Sequence, residues 1–300
     1  MIPAAGGSER LSAPAKVNLC LQITGRRADG YHLLDSVVVF TSFGDSLVVR
    51  PAQNAGGTDS IDISGPFAPA IAGEPQNICL RAISGYREAG GVIAPLSVSL
   101  EKHIPVGAGL GGGSSDAAAI LRYLDRNATT RLAPDALAAL AVDLGADVPV
   151  CLAGIGLAGI RLAGTAQHMT SIGEKLRPID PAPRGHVVLT RPDASLSTIA
   201  VFREFAGLRD GLDQADALPP PSTDPHRIVQ RGNDLFGAAV SLCPEIRDLM
   251  GELAGCEGVG AVQMSGSGSA CFALFPDAAL ASAGATRLTK QGRWAVATDF

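Results

Sequence analysis

The stretch PVGAGLGGGSSDAAA, from Pro105 to Ala119, gathers five glycines and two serines between an alternating apolar run and an alanine-rich helical pattern. Glycine admits positive φ and lets the backbone approach a ligand closely, while the first turn of a helix carries unpartnered N–H groups and the positive end of the dipole. Bare amides gathered at such a helix mouth bind anions, and phosphate is the natural guest. Ser114 and Ser115 are placed to cap the helix or to offer hydroxyls. A Walker loop requires Lys and then Ser or Thr after its last glycine, whereas here Gly112 leads into Gly113, Ser114, Ser115 and Asp116. Gly107, Gly109 and Gly112 match a dinucleotide fingerprint literally, but that fingerprint needs a following strand that ends in an acid. The corresponding RLAPDALAAL reads as a turn and a second helix, which makes an oxidoreductase a minor rival.

The elements that must position this loop follow from periodicity. In KVNLCLQI, Val17, Leu19, Leu21 and Ile23 share one face and Lys16, Asn18, Cys20 and Gln22 the other, which is the period of a strand. TGRRADG supplies turn residues and YHLLDSVVVF a second β-rich run, so Lys16 to Phe40 reads as a hairpin-like pair. DSLVVR and DSIDIS predict further short strands, QNICLRAISGYREAG a helix, and LSVSLEKHI a strand up to Pro105. A helix is expected from about Ser114 to Asn127, and another that Pro134 opens and Gly145 closes. The second half holds a strand at GHVVLT, a Pro- and Asp-rich loop from Asp213 to Pro225, and helical GNDLFGAAVSLCPEIRDLMGELAG. Strands GVGAVQM and ACFALF then flank a glycine turn, followed by a helix from Ala278 to Lys290 and a last strand in RWAVATDF. This mixed order favours an α+β chain in two lobes, residues 1–170 and 171–300, over a doubly wound sheet.

At 300 residues, with 46% hydrophobic, 18% charged and 4% aromatic residues, the composition is that of a soluble globular protein. The net charge of −5 and the scattered Lys and Arg leave no basic stripe, so no nucleic-acid partner is expected. Cys20, Cys79, Cys151, Cys243, Cys256 and Cys271 form no CxxC pair and sit mostly in apolar segments, which predicts a reduced, cytoplasmic protein without disulfides or a zinc site. The N-terminus lacks the basic and apolar regions of a signal peptide. The apolar run Val148 to Ile160 is too short for a membrane span and contains Pro149, so no membrane association is expected.

The glycine stretch resembles the central motif of the GHMP small-molecule kinases. PAKVNLCLQITGRRADGYHLLDSVVVF (Pro14 to Phe40), GADVPVCL (Gly145 to Leu152), GNDL (Gly232 to Leu235) and MSGSGSACFALF (Met264 to Phe275) are similar, in the same order, to segments of the branch that acts on a cytidine-diphosphate sugar alcohol. The resemblance implies a nucleotide-binding N-terminal lobe like ribosomal protein S5 domain 2 and a ferredoxin-like C-terminal lobe. It also implies transfer of the γ-phosphoryl group of ATP, with Mg²⁺, to the 2-hydroxyl of that small-molecule partner in isoprenoid precursor synthesis. The ATP-binding residues it implies are Asn77 and the run Pro105, Val106, Gly107, Ala108, Gly109, Leu110, Gly111, Gly112, Gly113, Ser114 and Ser115. The oligomeric expectation is a monomer or weak homodimer.

Phosphoryl transfer needs in-line positioning, neutralisation of developing charge and a group to receive the hydroxyl proton. Asp147 suits the last task, since Gly145 stops the preceding helix and Pro149 fixes the turn beyond, holding the carboxylate at a lobe junction. Lys16 is its expected cation partner, lowering the carboxylate's pKa and polarising the acceptor hydroxyl. Asn18, on the same strand face, either orders a substrate oxygen or serves the sheet. Tyr31 and His32 are expected to stack on and hydrogen-bond a pyrimidine, with hairpin packing as the alternative. Asn77 meets the adenine edge or caps its helix, and Gly266, Ser267 and Gly268 bring amides to the substrate diphosphate or form a tight hairpin turn. No carboxylate cage for Mg²⁺ stands out, so the metal is expected on phosphates and water, with Ser115 or Asp116 in reach. Around AGIGLAGIRLAG the chain is longer than the family pattern, which leaves that segment's substrate contacts open. A mevalonate- or homoserine-type GHMP kinase is the nearest rival, and GRRADGYH separates it. A non-catalytic nucleotide-binding module is the other, against which Lys16 with Asp147 argues.

Overall fold

The computed structural model describes residues 7–52, 57–73, 76–154, 165–208 and 222–300. Two compact units emerge: Met1–Ala15, Gly44–Val106 and Gly111–Leu162 form the first, and Lys16–Phe43, Gly107–Leu110 and Ala163–Phe300 the second. Strands β1 (Glu9–Arg26) and β2 (His32–Pro51) pair as the alternation predicts, and each contributes to both units. DSLVVR is the end of β2 instead of a separate strand. Gly44 does not break the strand; it is glycine because a Cβ there would stand 2.4 Å from the Ala13 carbonyl oxygen.

In the first unit β3 (Ser60–Ser64), α1 (Ile78–Glu88), β4 (Leu96–Glu101), α2 (Gly112–Asn127), α3 (Pro134–Leu144) and α4 (Val148–Gly154) follow in order. β4 runs parallel to β3 and antiparallel to the second half of β2, with Ser46 opposite Glu101 and Pro51 opposite Leu96. Helix α2 packs against α1, α3 and α4. Its run Ala117, Ala118 and Ala119 keeps the side chains small where neighbours press closest, and Ile120, Leu121 and Leu124 fill the core with Tyr86, Leu47 and Val98. Pro134 opens α3 in its first turn and Gly145 follows its end, as expected.

The second unit continues with β5 (Gln167–Ser171), β6 (Lys175–Pro178), β7 (His186–Arg191), α5 (Thr198–Leu208), α6 (Pro225–Val229), α7 (Phe236–Leu242) and α8 (Glu245–Ala254). It closes with β8 (Ala261–Met264), β9 (Cys271–Phe275), α9 (Ala278–Lys290) and β10 (Trp294–Asp299). β5 pairs antiparallel with the first half of β2 and with β6. The other four strands form an antiparallel sheet in the order β10-β7-β9-β8. Chain order β7, helices, β8, β9, α9, β10 is the β-α-β-β-α-β pattern of a ferredoxin-like unit, as the resemblance implies.

The β5–β6 hairpin, α5 and α6 are additions to the sequence-based expectation. The long helical reading from Gly232 to Gly255 splits into α7 and α8 at Cys243 and Pro244, because proline supplies no N–H and disfavours helix in the residue before it. The GND part of that reading is not helical; it lies beside β1 through a parallel bridge between Leu21 and Asn233. Residues 213–221 of the expected Pro- and Asp-rich loop lie outside the described residues. Among those described, no helix is long and apolar enough to cross a membrane.

Candidate active site

The glycines adopt the backbone that the sequence suggests: Gly107, Gly109 and Gly111 have φ of +70°, +78° and +66°. Helix α2 starts at Gly112, earlier than the expected Ser114, and no side chain caps it at Gly111. The amides of its first turn, Gly112 to Ser114, therefore lack an intrahelical acceptor and a side-chain cap, which is the anion-binding arrangement. Ser115 does not cap: its buried hydroxyl donates to the Pro14 carbonyl at 2.7 Å. Asp116 is likewise drawn into the core instead of standing within reach of a metal. Its Oδ2 accepts from Lys102 Nζ at 2.6 Å, and Lys102 also donates to Asp45 Oδ2. Asp45 Oδ1 in turn accepts the backbone N–H groups of His103 at 2.6 Å and Ile104 at 2.8 Å. Burial, reinforced by the Asp45 charge, pushes the Asp116 carboxyl up to about 7 against the opposing pull of Lys102. Burial also works against the Lys102 ammonium, but Asp116 and Asp45 outweigh it and raise its pKa.

Asn77 caps α1, its Oδ1 accepting the Cys79 N–H at 2.9 Å, so the carbonyl side of that amide is committed. Asp147 lies in the short connection from α3 to α4, half-buried. Pro149 stands within the first turn of α4, where its missing N–H costs nothing, and is not in a turn beyond the helix junction. The Asp147 carbonyl accepts from Cys151 N–H at 3.1 Å, so the backbone beneath the carboxylate is fixed by the helix it introduces.

In the second unit Lys16, Asn18, Gly107–Leu110 and the second glycine turn come together. Lys16, 4% exposed, donates from Nζ to Asn18 Oδ1 at 2.8 Å, and Asn18 Nδ2 donates to Ser36 Oγ at 2.8 Å. The Asn18 backbone N–H donates to Ser265 Oγ at 3.1 Å. A Cβ on Gly266 would lie 3.1 Å from Asn18 Oδ1 and 3.5 Å from Lys16 Nζ, so the bare turn leaves room above those two side chains. The first glycine loop joins this assembly through Lys16 N–H to the Leu110 carbonyl and Ala270 N–H to the Ala108 carbonyl, both at 2.9 Å. Gly109 packs so tightly that a Cβ would fall 2.5 Å from the Gly268 carbonyl oxygen. Ser267 Oγ pairs with Thr198 Oγ1 at 3.0 Å. Asn233, whose role the sequence reading did not assign, holds the second turn by donating from Nδ2 to the Met264 and Gly266 carbonyls at 2.8 Å each.

His32 stacks on Phe202 with centroids 5.4 Å apart and meets Phe205 edge-on at 5.7 Å. Its face is thus used within the protein, and its edge is what it offers: Nε2 is buried and, among the described residues, has no hydrogen-bond partner. Burial, with a contribution from the Arg26 charge, lowers the His32 pKa and so favours the neutral ring. A buried ring nitrogen left unpaired is costly unless a ligand completes it. Tyr31 beside it is 62% exposed. Phe202 and Phe205, in TIAVFREF, lie in no motif that marks a site; only the fold brings them to His32. Among the described residues, no group of three or more His, Cys, Asp and Glu could hold a metal ion.

The fold and this loop geometry define a class. The family described as GHMP kinases N terminal domain matches residues 77–155, and GHMP kinases C terminal matches residues 224–293. A 4-diphosphocytidyl-2-C-methyl-D-erythritol kinase of Paracoccus denitrificans is 42% identical, covering 97% of this chain and 96% of its own. One of Parvibaculum lavamentivorans is also 42% identical, over 88% of each chain. A crystal structure of 4-(cytidine 5'-diphospho)-2C-methyl-D-erythritol kinase superposes with a TM-score of 0.77 at 34% identity, covering 97% of this chain and 98% of that one. The chain belongs to the family of 4-diphosphocytidyl-2-C-methyl-D-erythritol kinases.

Proposed function

We infer that the protein transfers the γ-phosphoryl group of ATP to the 2-hydroxyl of 4-(cytidine 5'-diphospho)-2-C-methyl-D-erythritol, a step of non-mevalonate isoprenoid precursor biosynthesis. The observation that carries this reading is identity of 42% maintained across 97% of the chain with a kinase of that name. The uncapped mouth of α2 and the His32 edge supply the two halves of the binding chemistry.

In this reading the phosphates of ATP dock on the amides of Gly112, Gly113 and Ser114, with Pro105 to Leu110 shaping the approach and the Asn77 amide NH₂ meeting the adenine. The cytosine meets the face of Tyr31 and the Nε2 edge of His32, with Phe202 bracing the imidazole. Amides of Gly266, Ser267 and Gly268 and the side chain of Asn18 order the diphosphate and the acceptor end. The acceptor oxygen attacks the γ-phosphorus as its bond to the β,γ-bridging oxygen breaks and ADP leaves; Asp147 receives the hydroxyl proton, and Lys16 offsets the negative charge that develops. Mg²⁺ carried by the nucleotide phosphates is part of the same proposal. So are a cytoplasmic location, for which six free and buried cysteines speak, a monomer or weak homodimer, and the assignment of nucleotide binding to residues 1–170.

The test is ADP release from ATP and Mg²⁺ across a panel of cytidylated and free polyols. Turnover should require the cytidylated substrate. Asp147→Asn should lower kcat by roughly a hundred- to ten-thousandfold while ATP still binds, the span of a lost general base; full retained activity removes Asp147 from the reaction. Tyr31→Ala and Phe202→Ala should each raise KM for the cytidylated substrate about tenfold, as loss of an aromatic contact does, with KM for ATP unchanged.

A further inference from the structure

The cluster of Lys102, Asp45 and Asp116 has no part in the chemistry above, yet all of it is buried beneath the helix that begins the phosphate site. Its connections run to both sides of the loop. Asp45 Oδ1 holds the N–H groups of His103 and Ile104, the last residues before Pro105. Lys102 Nζ joins that carboxylate to Asp116, in the second turn of α2. The ammonium lies directly against the first residue of the helix, since a Cβ on Gly112 would fall 3.0 Å from Lys102 Nζ and 3.0 Å from Ile104 Cγ2. Among the described residues Asp116 Oδ1 has no hydrogen-bond partner, and Lys102 on Oδ2 is the cation beside this buried carboxyl.

We propose that Lys102 is a positioning residue for nucleotide binding, whose buried ammonium pins both ends of the glycine loop and cancels carboxylate charge beneath the bare amides of α2. The two functions act together. Without Lys102 the loop ends lose their common anchor, Asp116 keeps its proton, and the Asp45 carboxylate remains uncompensated under a helix mouth that must attract an anion. Its field opposes the positive end of the helix dipole, and little water intervenes to screen it. The substrate class concerned is a nucleoside polyphosphate, and the proposal rests on the kinase reading given above.

The decisive variants are Lys102→Met, Lys102→Met combined with Asp45→Asn, and Asp116→Asn, compared by ATP titration, steady-state kinetics and thermal denaturation. Lys102→Met should raise KM for ATP by roughly tenfold or more, with KM for the cytidylated substrate unchanged and kcat at saturating ATP within a few-fold. Adding Asp45→Asn to Lys102→Met should recover most of the lost ATP affinity, because it removes the uncompensated charge while its amide oxygen can still accept from His103 and Ile104. A purely structural lysine predicts the opposite: lower thermal stability, both KM values disturbed together, and no recovery of ATP binding in the double variant. That pattern, or an unchanged KM for ATP in Lys102→Met, overturns the proposal. If Lys102→Met does not fold, Asp116→Asn alone decides: ATP should bind a few-fold tighter at pH 8, and equal or weaker binding counts against the idea. Failure of the unaltered protein to bind ATP at all is a separate result, which removes the kinase reading itself.

Discussion

Asp116 and Asp35 are both buried carboxylates beside a cation, one in each unit, and they are displaced in opposite directions. Asp116 shares its lysine with Asp45, and burial lifts it to about 7. Burial also acts to raise Asp35, but the hydrogen bond from His168 and the charge of Arg231 outweigh it and hold the carboxyl below its ordinary value. In the second cluster His168 Nε2 lies 2.8 Å from Asp35 Oδ2, Arg231 NH2 lies 2.6 Å from Asp35 Oδ1, and Arg231 Nε donates to Gln22 Oε1 at 2.9 Å. The difference is stoichiometry. Two acids around one ammonium leave an excess of negative charge that one acid must relieve by keeping its proton, whereas one acid between a guanidinium and an imidazole stays ionised.

The largest expected effect comes from breaking the second cluster. Arg231→Met leaves Asp35 facing His168 alone and should cost about 2–3 kcal/mol in denaturant unfolding, below the range for fully buried pairs because Arg231 keeps some contact with water. A loss under about 0.5 kcal/mol would place Arg231 with ordinary surface pairs and dissolve the contrast.

Dependence on pH sharpens it next. Asp116 binds its proton in the folded protein up to about pH 7 and in the unfolded chain only near its ordinary value of 3.8. From pH 8 down toward pH 4 the folded state therefore holds the extra proton, and this group makes the protein more stable as pH falls, by up to about 1.4 kcal/mol per pH unit. Asp35 has the reverse sign: its contribution is present above the unfolded value and is lost as pH falls through its lower folded pKa. Urea melts between pH 5 and pH 8 should show a slope that Asp116→Asn flattens and Asp35→Asn does not. An identical slope in Asp116→Asn would mean that Lys102 holds Asp116 ionised throughout. The smallest effect is expected for His168→Gln, which keeps a hydrogen-bond donor toward Asp35; it should cost about 0.5–1 kcal/mol by the same urea measurement.

Much of the candidate site was legible before any coordinates. The glycine loop, the strand face with Lys16 and Asn18, and the second glycine turn were visible because the residues concerned do one thing well: glycine takes positive φ, and a period of two sorts a strand's faces. The Asn77 cap was visible as an alternative for the same reason. Ser115 and Asp116 were misplaced because a hydroxyl or carboxylate beside a glycine loop looks available until Pro14 and Lys102 are found against it. Phe202 has no local signal, and GNDL marks Asn233 without saying what it bonds; one acts by stacking on His32 and the other by bonding to carbonyls of Met264 and Gly266.

Local chemistry therefore settled many strands, turns and helices, among them α3 between Pro134 and Leu144 and α9 from Ala278 to Lys290, but not β5, β6, α5 and α6. Tertiary structure alone decided the partners of the buried charges. A side chain's identity fixes what it can bond, but a partner 57 residues away, as Asp45 is from Lys102, or 196 away, as Arg231 is from Asp35, is chosen only when the fold brings the two together and takes them out of most of the solvent.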